Sequence, residues 1–346
     1  MGVAAEAESA GGSARRRILG LGLGALAALC AVLVRRALEG PPFEPGAPRF
    51  WVADRDGGRV VGLDQDLFVA REWCAPWPVA LAARADGMLW VLSAVDGRPA
   101  GRHELLLLSA DGERRAVTSF DGPARLALDE RGKAVLLSSG SGARPIVRVD
   151  ELGRPSVLAA LEGALCIAVA RGEVLVGDGS GRVHLIASEG GHRTESIGGR
   201  LVEAAADAGN GGWWLVDAAP PGRVLRLDSE LAVVWVRELA GCARLVPLPA
   251  GGRVWVSDGR GDALLRLDDD GRTELELGPL PLAGVHAAVA TTDGGLIARA
   301  PGALLRWDGE GRRRPGQAGF AFALDVARVP AAAFADPRRE RRAGGR

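Results

Sequence analysis

Residues 251–271 read GGRVWVSDGRGDALLRLDDDG: two short runs in which apolar and polar residues alternate, separated by a turn rich in Gly and Asp. Alternation in twos marks a half-buried β-strand, and Gly and Asp let a chain reverse between two such strands. The stretch therefore reads as a β-hairpin. Related stretches begin at Arg49 (RFWVADRDGGRVVGLDQDL), Gly172 (GEVLVGDGSGRVHLIASEGG), Gly211 (GGWWLVDAAPPGRVLRLDSEL) and Asp293 (DGGLIARAPGALLRWDGEG).

Alignment on the Trp-Val of this pattern picks out Trp51, Trp90, Leu136, Leu175, Trp214, Trp255 and Leu296, at intervals of 39, 46, 39, 39, 41 and 41 residues. A regular period near 40 with several short alternating segments per unit is the signature of β-propeller blades. Each unit opens with a segment of small residues, such as VALAARADG, ARLALDERG, EAAADAG and HAAVATTDGG. Small side chains suit the crowded propeller axis, and Trp and Val on the next strand suit the wider space between blades. Three residues past each anchor stand Asp54, Ser93, Ser139, Asp178, Asp217, Asp258 and Arg299, mostly short polar residues that stop a strand; third segments end at Asp64, Asp228, Asp268 and Asp308.

The first unit lacks a small-residue strand of its own, while FALDVARVP at residues 322–330 has no blade after it. One further period from Leu296 falls in phase with Trp51. Leu324–Val329 is therefore expected to complete the first blade as its inner strand, closing an all-β ring over residues 49–330. The spacing gives seven blades; six or eight are the alternatives.

The V-W-V-x-D, R-V-L-x-L-D, then Gly pattern resembles NHL-type and YVTN-type β-propeller repeats over roughly residues 49–330, with the second and third units departing most. That resemblance implies the fold and leaves the activity open. Lactonase- and gluconolactonase-like propellers share the architecture and hold a divalent metal through Glu, Asp and Asn at the channel. The family's metal set is not recognisable here, where Asn210 is the single Asn.

Ahead of the ring, the apolar run ILGLGLGALAALCAVLV at 18–34 is flanked by Arg15, Arg16 and Arg17 and by Arg35 and Arg36. It reads as one transmembrane signal anchor, with 1–17 cytoplasmic and 35–48 a Pro-rich linker, so that the ring lies outside the cytoplasm. If the segment is instead a cleaved signal peptide, the protein is secreted. The Arg-rich end at 331–346 reads as a disordered, solvated tail. Arg-heavy usage without Tyr suggests a GC-rich bacterial source. The chain has 43 basic and 43 acidic side chains, which argues against a nucleic-acid binder.

The chemistry is sparse. There is no G-x-S-x-G nucleophile elbow. His103, His184, His192 and His286 are read as falling in different units and strands, so three imidazoles converging on zinc are not expected. Cys74, Cys166 and Cys242 lack CxxC spacing and read as small buried hydrophobes. Asp268-Asp269-Asp270-Gly271 lacks calcium-loop spacing and reads as a solvated turn.

Propellers commonly bind ligands at the mouth of the central channel, where the inner strands begin. Aligning those strands places Trp77, Arg125, Glu203, Arg244, His286 and Asp325 near one end. The guanidiniums and the His suit an anionic ligand; alternatively Arg125 and Arg244 pair with Glu203 and Asp325 and plug the channel. The expectation is a membrane-tethered, extracytoplasmic propeller acting as a non-catalytic binding or scaffolding platform for a protein or small ligand, with no cofactor. The alternative is a metal-dependent hydrolase of the lactonase type, the reading under which a divalent metal enters.

Overall fold

The computed structural model describes residues 48–328, apart from 99–100, 123, 139–141, 188–189, 242–243, 258–262, 279–286, 301–302, 319 and 321–322. The apolar run 18–34, the linker up to residue 47 and the tail 331–346 lie outside the described residues.

The described residues form seven four-stranded antiparallel sheets, one per repeat, with no helix among them. The inner strands are Ala323–Arg328, Pro78–Ala83, Ala124–Leu128, Ala164–Ala170, Leu201–Ala206, Arg244–Pro247 and Ala288–Ala290, and each packs against the next round a ring. All seven alignment anchors sit on the second strands: Phe50–Asp54, Leu89–Ala94, Ala134–Ser138, Glu173–Asp178, Trp213–Asp217, Val254–Ser257 and Leu296–Ala300. The chain is thus a seven-bladed β-propeller. Blade 1 takes its inner strand from the far end of the sequence, with Phe50 opposite Arg328 and Val52 opposite Val326.

Side chains on a strand point alternately to its two faces, so each second strand fills two seams between blades at once. On Trp213–Asp217, Trp213 and Leu215 pack toward blade 4, while Trp214 and Val216 pack toward blade 6. The core accordingly divides into seven apolar clusters, one per seam. The seam between blades 7 and 1 joins Phe50, Val52 and Leu63 to Ile297, Leu304, Phe320 and Val326. Outer strands are the remaining open edges; that of blade 4, HRTES at His192–Ser196, is polar and mostly exposed, whereas those of blades 3 and 5 expose valines such as Val157 and Val234. Charged edges like that of blade 4 resist pairing with other chains.

Three repeated devices fasten the blades. The Asp that ends a second strand ties the turn beyond it to the first residue of the third strand: Asp54 to Arg59 at 2.8 Å, Asp178 to Arg182 at 2.8 Å and Asp217 to Arg223 at 2.9 Å. In blades 1, 3, 5, 6 and 7 the third strand runs into an Asp whose Oδ1 accepts the amides two and four residues on, as Asp268 does from Asp270 and Arg272. Gly271 closes that turn at φ +77°, where a Cβ would press on the Trp235 ring. The Arg two positions before the closing Asp reaches into the next blade: Arg226 to the Asp269 carbonyl at 3.1 Å, Arg266 to that of Gly309 at 2.7 Å, and Arg306 to that of Gln65 at 2.7 Å. The last of these crosses from blade 7 to blade 1. Arg226 and Arg266 also lie over the Trp214 and Trp255 rings, so one side chain joins a cation–π contact to an inter-blade bond.

Asp217 accepts bonds from the Arg200 and Ala219 amides and from the Arg223 guanidinium. Burial works to raise its carboxyl, but these bonds outweigh it and hold the group below the usual carboxylate range. Its stabilising effect is then complete above the unfolded carboxylate value, about 3.9, and is lost as pH falls through the lower folded value. Asp217→Ala should cost about 2–4 kcal/mol at neutral pH. Urea melts should show its gap from the parent protein narrowing below about pH 4; a gap constant with pH would contradict this.

Candidate functional site

Inner strands converge on the axis, so positions far apart in sequence meet there. Small side chains at Ala80, Ala127, Ala168, Ala204, Ala205 and Ala206 leave a channel cavity of about 380 Å³, which Arg125, Glu203, Arg244 and Asp325 also line. Arg125 of blade 3 reaches across to blade 5, with Nη1 2.8 Å from Glu203 Oε2 and Nη2 3.1 Å from the Val202 carbonyl. Arg244 of blade 6 meets the other oxygen, Glu203 Oε1, at 3.3 Å. Glu203 is thereby bridged by two guanidiniums, and the triad ties three blades together across the channel.

Asp325 is engaged differently. Its Oδ2 accepts the Leu81 amide of blade 2 at 2.9 Å, and its Oδ1 accepts the Val326 amide at 2.9 Å. Burial pushes its carboxyl up, and the nearby Arg244 charge opposes that push. The two carboxylates therefore play unequal parts: Glu203 neutralises guanidinium charge, while Asp325 fastens blade 1 to blade 2 beside the axis.

Of the six residues aligned at the channel mouth, the structure brings Arg125, Glu203, Arg244 and Asp325 into one cavity. Trp77 is not on the cavity wall; it sits in the link between blades 1 and 2 with a left-handed φ of 49°, its ring against Gly97. His286 lies outside the described residues. Asn210 is remote from the channel and holds the Asp269 carboxylate through Nδ2 at 2.9 Å. Asp269 also binds Arg226 and Asp268 accepts the Asp270 amide, so the 268–271 segment is a turn between strands with these carboxylates engaged by protein groups.

Two expectations need correcting. Cys166 is buried, and burial pushes its thiol up to about 12, but Cys74 is exposed because it ends the outer strand of blade 1. Cys242 lies outside the described residues. His184 and His192 do not fall in different units: they occupy neighbouring strands of blade 4, His184 Nδ1 lying 3.3 Å from His192 Nε2. Eight residues with one hairpin between them are enough to bring the two rings together, a spacing the sequence displays. Burial, the leading influence, holds the His184 imidazolium below its ordinary value against the pull of Asp178. Among the described residues no three His, Cys, Asp or Glu side chains gather into a metal cluster.

A second hollow, of about 610 Å³, opens between blades 3 and 4 at the opposite end, bounded by Arg131, Lys133, Arg171 and Glu173. The repeat alignment does not point to it, because it is formed by turns from two units and not by one motif.

Removing Glu203 would leave Arg125 and Arg244 facing the channel without their shared counter-charge. Glu203→Ala should lower stability by about 1–3 kcal/mol, between the effects of exposed and buried pairs, and Arg244→Ala should lower it less, because Glu203 keeps Arg125. Denaturant melts of both variants test this; an unchanged midpoint for Glu203→Ala would contradict a structural triad.

No family model and no curated protein matches the chain. Among solved structures it is similar to a functionally unknown protein from Desulfotomaculum acetoxidans, with TM-score 0.65 and 13% identity over 82% of this chain and 99% of that one. A dihydro-heme d1 dehydrogenase is similar with TM-score 0.60 and 14% identity over 85% of this chain and 78% of that one. A streptogramin B lyase is similar with TM-score 0.57 and 14% identity over 69% and 82%. At such identities the likeness is one of fold, and proteins of quite different activity share it.

Proposed function

We propose that this chain is a membrane-tethered, extracytoplasmic propeller of NHL or YVTN type that serves as a non-catalytic binding platform for a protein partner. The tether is the apolar run 18–34, and the binding face is the end of the ring that carries the channel mouth. The observation that carries the reading is the Arg125–Glu203–Arg244 triad. Groups chemically able to hold a ligand or activate water neutralise one another and join three blades. Both Glu203 oxygens are engaged by guanidiniums and Asn210 is engaged at a distant turn, which weighs against a lactonase-like metal site in the channel.

The same end offers apolar surface. Trp77 and Val95, 41% and 46% exposed, belong respectively to the link entering blade 2 and to the turn after its second strand. Both connections lie at the end where inner strands begin. Exposed aromatic and apolar side chains on a rigid scaffold are what a partner protein buries at the centre of an interface.

The test uses the full chain in intact spheroplasts, with Cys30→Ser, Cys74→Ser and Cys242→Ser leaving the buried Cys166 as the remaining native thiol, and Val95→Cys supplying a new one. A membrane-impermeant photoactivatable maleimide should label position 95 without lysis and yield a protein adduct on illumination. Leu152→Cys, on a turn at the opposite end and 68% exposed, should be labelled but give no such adduct. Labelling only after lysis would overturn the extracytoplasmic placement. Equal adducts from both positions, or none from position 95, would overturn the proposed binding face.

A further inference from the structure

The outer hairpin of blade 4 holds a group of side chains that the channel reading leaves aside. His184, on the third strand Arg182–Ala187, is 5% exposed, whereas His192 and Thr194, on the outer strand His192–Ser196, are exposed. His184 lies directly opposite Thr194 in the ladder and His192 opposite Ile186. This register puts three donor atoms at the corners of a nearly equilateral triangle. His184 Nδ1 is 3.3 Å from His192 Nε2 and 3.1 Å from Thr194 Oγ1, and Thr194 Oγ1 is 3.3 Å from His192 Nε2. The rings are tilted by 40° with centroids 5.4 Å apart, so their edges converge and their faces do not stack.

The far side of His184 is fixed as well. Its Nε2 is 3.4 Å from Asp178 Oδ2, an oxygen that also accepts from the Arg182 guanidinium at 2.8 Å. Asp178 Oδ1 accepts the Ser180 and Arg182 amides. A carboxylate so placed can only accept, so Nε2 of His184 carries the proton and Nδ1 presents its lone pair to the triangle. A carboxylate behind an imidazole whose other nitrogen faces a shared point is the arrangement that orients metal-ligating histidines.

We propose that His184 Nδ1 and His192 Nε2, supported by the Thr194 hydroxyl, form a surface site for a late first-row divalent cation, zinc being the representative. Zinc–nitrogen bonds of about 2.0–2.1 Å at a tetrahedral angle place two nitrogens about 3.3–3.4 Å apart. The observed 3.3 Å matches that span with no movement of either strand. Two imidazoles favour zinc, copper or nickel over magnesium or calcium, which prefer all-oxygen shells. Two protein imidazoles and one weak hydroxyl leave the shell open, and the exposure of His192 and Thr194 lets water or a partner's side chain complete it. The site is independent of the channel and of the proposed partner face.

The test is zinc binding by the full chain in detergent, measured in competition with a chromophoric chelator and repeated with His192→Ala and His192→Gln. His192 is exposed, so both variants should melt like the parent without metal. One zinc per chain is expected, with affinity at least about tenfold weaker in either variant. Zinc should also raise the melting temperature of the parent more than that of the variants. Copper bound to the parent should show two-nitrogen hyperfine structure in its electron paramagnetic resonance spectrum, reduced to one nitrogen in the variants. Equal zinc affinity in parent and variants, or no zinc bound by the parent, would overturn the site and leave a hydrogen-bonded His pair.

Discussion

A ring of β-sheets has no natural beginning, yet a polypeptide does, and the way this chain resolves that conflict governs the rest of its structure. The inner strand of blade 1 is Ala323–Arg328, paired with Phe50–Asp54 across almost the whole length of the described chain. Without it the first blade would expose an unpaired inner edge on Phe50–Asp54, and the seam between blades 7 and 1 would lose Val326 from its apolar cluster. The seam between blades 1 and 2 draws on the same strand through Ala327 and the Asp325 bond to the Leu81 amide, and the five others are built by neighbours in sequence. The seam between blades 7 and 1 depends on contacts between the two ends, whose loop-closure entropy must be overcome before the contacts form. The Arg306 bond to Gln65 crosses the same junction.

Closure also creates the axial site. Arg125, Glu203, Arg244 and Asp325 come from four blades, and the ring brings them to one cavity. Their arrangement turns a potentially repulsive cluster of guanidiniums into a cross-channel brace, with Asp325 held by amides of blades 1 and 2. A rigid ring of this kind does not itself prescribe an activity, in keeping with a likeness of fold to a lyase and a dehydrogenase at 14% identity. On the reading we propose, function comes from what the rigid frame displays at its ends and edges: Trp77 and Val95 at the end where inner strands begin, and His184 with His192 on an outer hairpin.

The repeat was legible because the same physics acts seven times. Trp51, Trp90 and Trp255 mark second strands, whose side chains fill the seams between blades, and Asp217 and Asp268 mark strand ends because their side chains bond the turns beyond. The polar residues of the channel could be aligned for the same reason. Trp77 falls at the expected end but does not line the cavity, because it precedes its strand in a left-handed conformation that periodicity does not encode. The inter-blade role of Arg226, Arg266 and Arg306 was hidden in an ordinary-looking R-L-D or R-W-D ending, since its partner is a backbone carbonyl with no sequence signature. His184 and His192 were separable on paper and adjacent in space, because a hairpin register converts an eight-residue spacing into direct opposition.

The central claim is that the far C-terminal strand closes the ring. Its most direct measurement is the denaturant and thermal unfolding of the chain ending at residue 319, beside the full chain, followed by tryptophan fluorescence of the seam residues. The account predicts that the full chain unfolds in one cooperative transition and that the truncated chain loses it, with Trp51 solvated under native conditions. An unchanged cooperative melt with Trp51 still buried would contradict it.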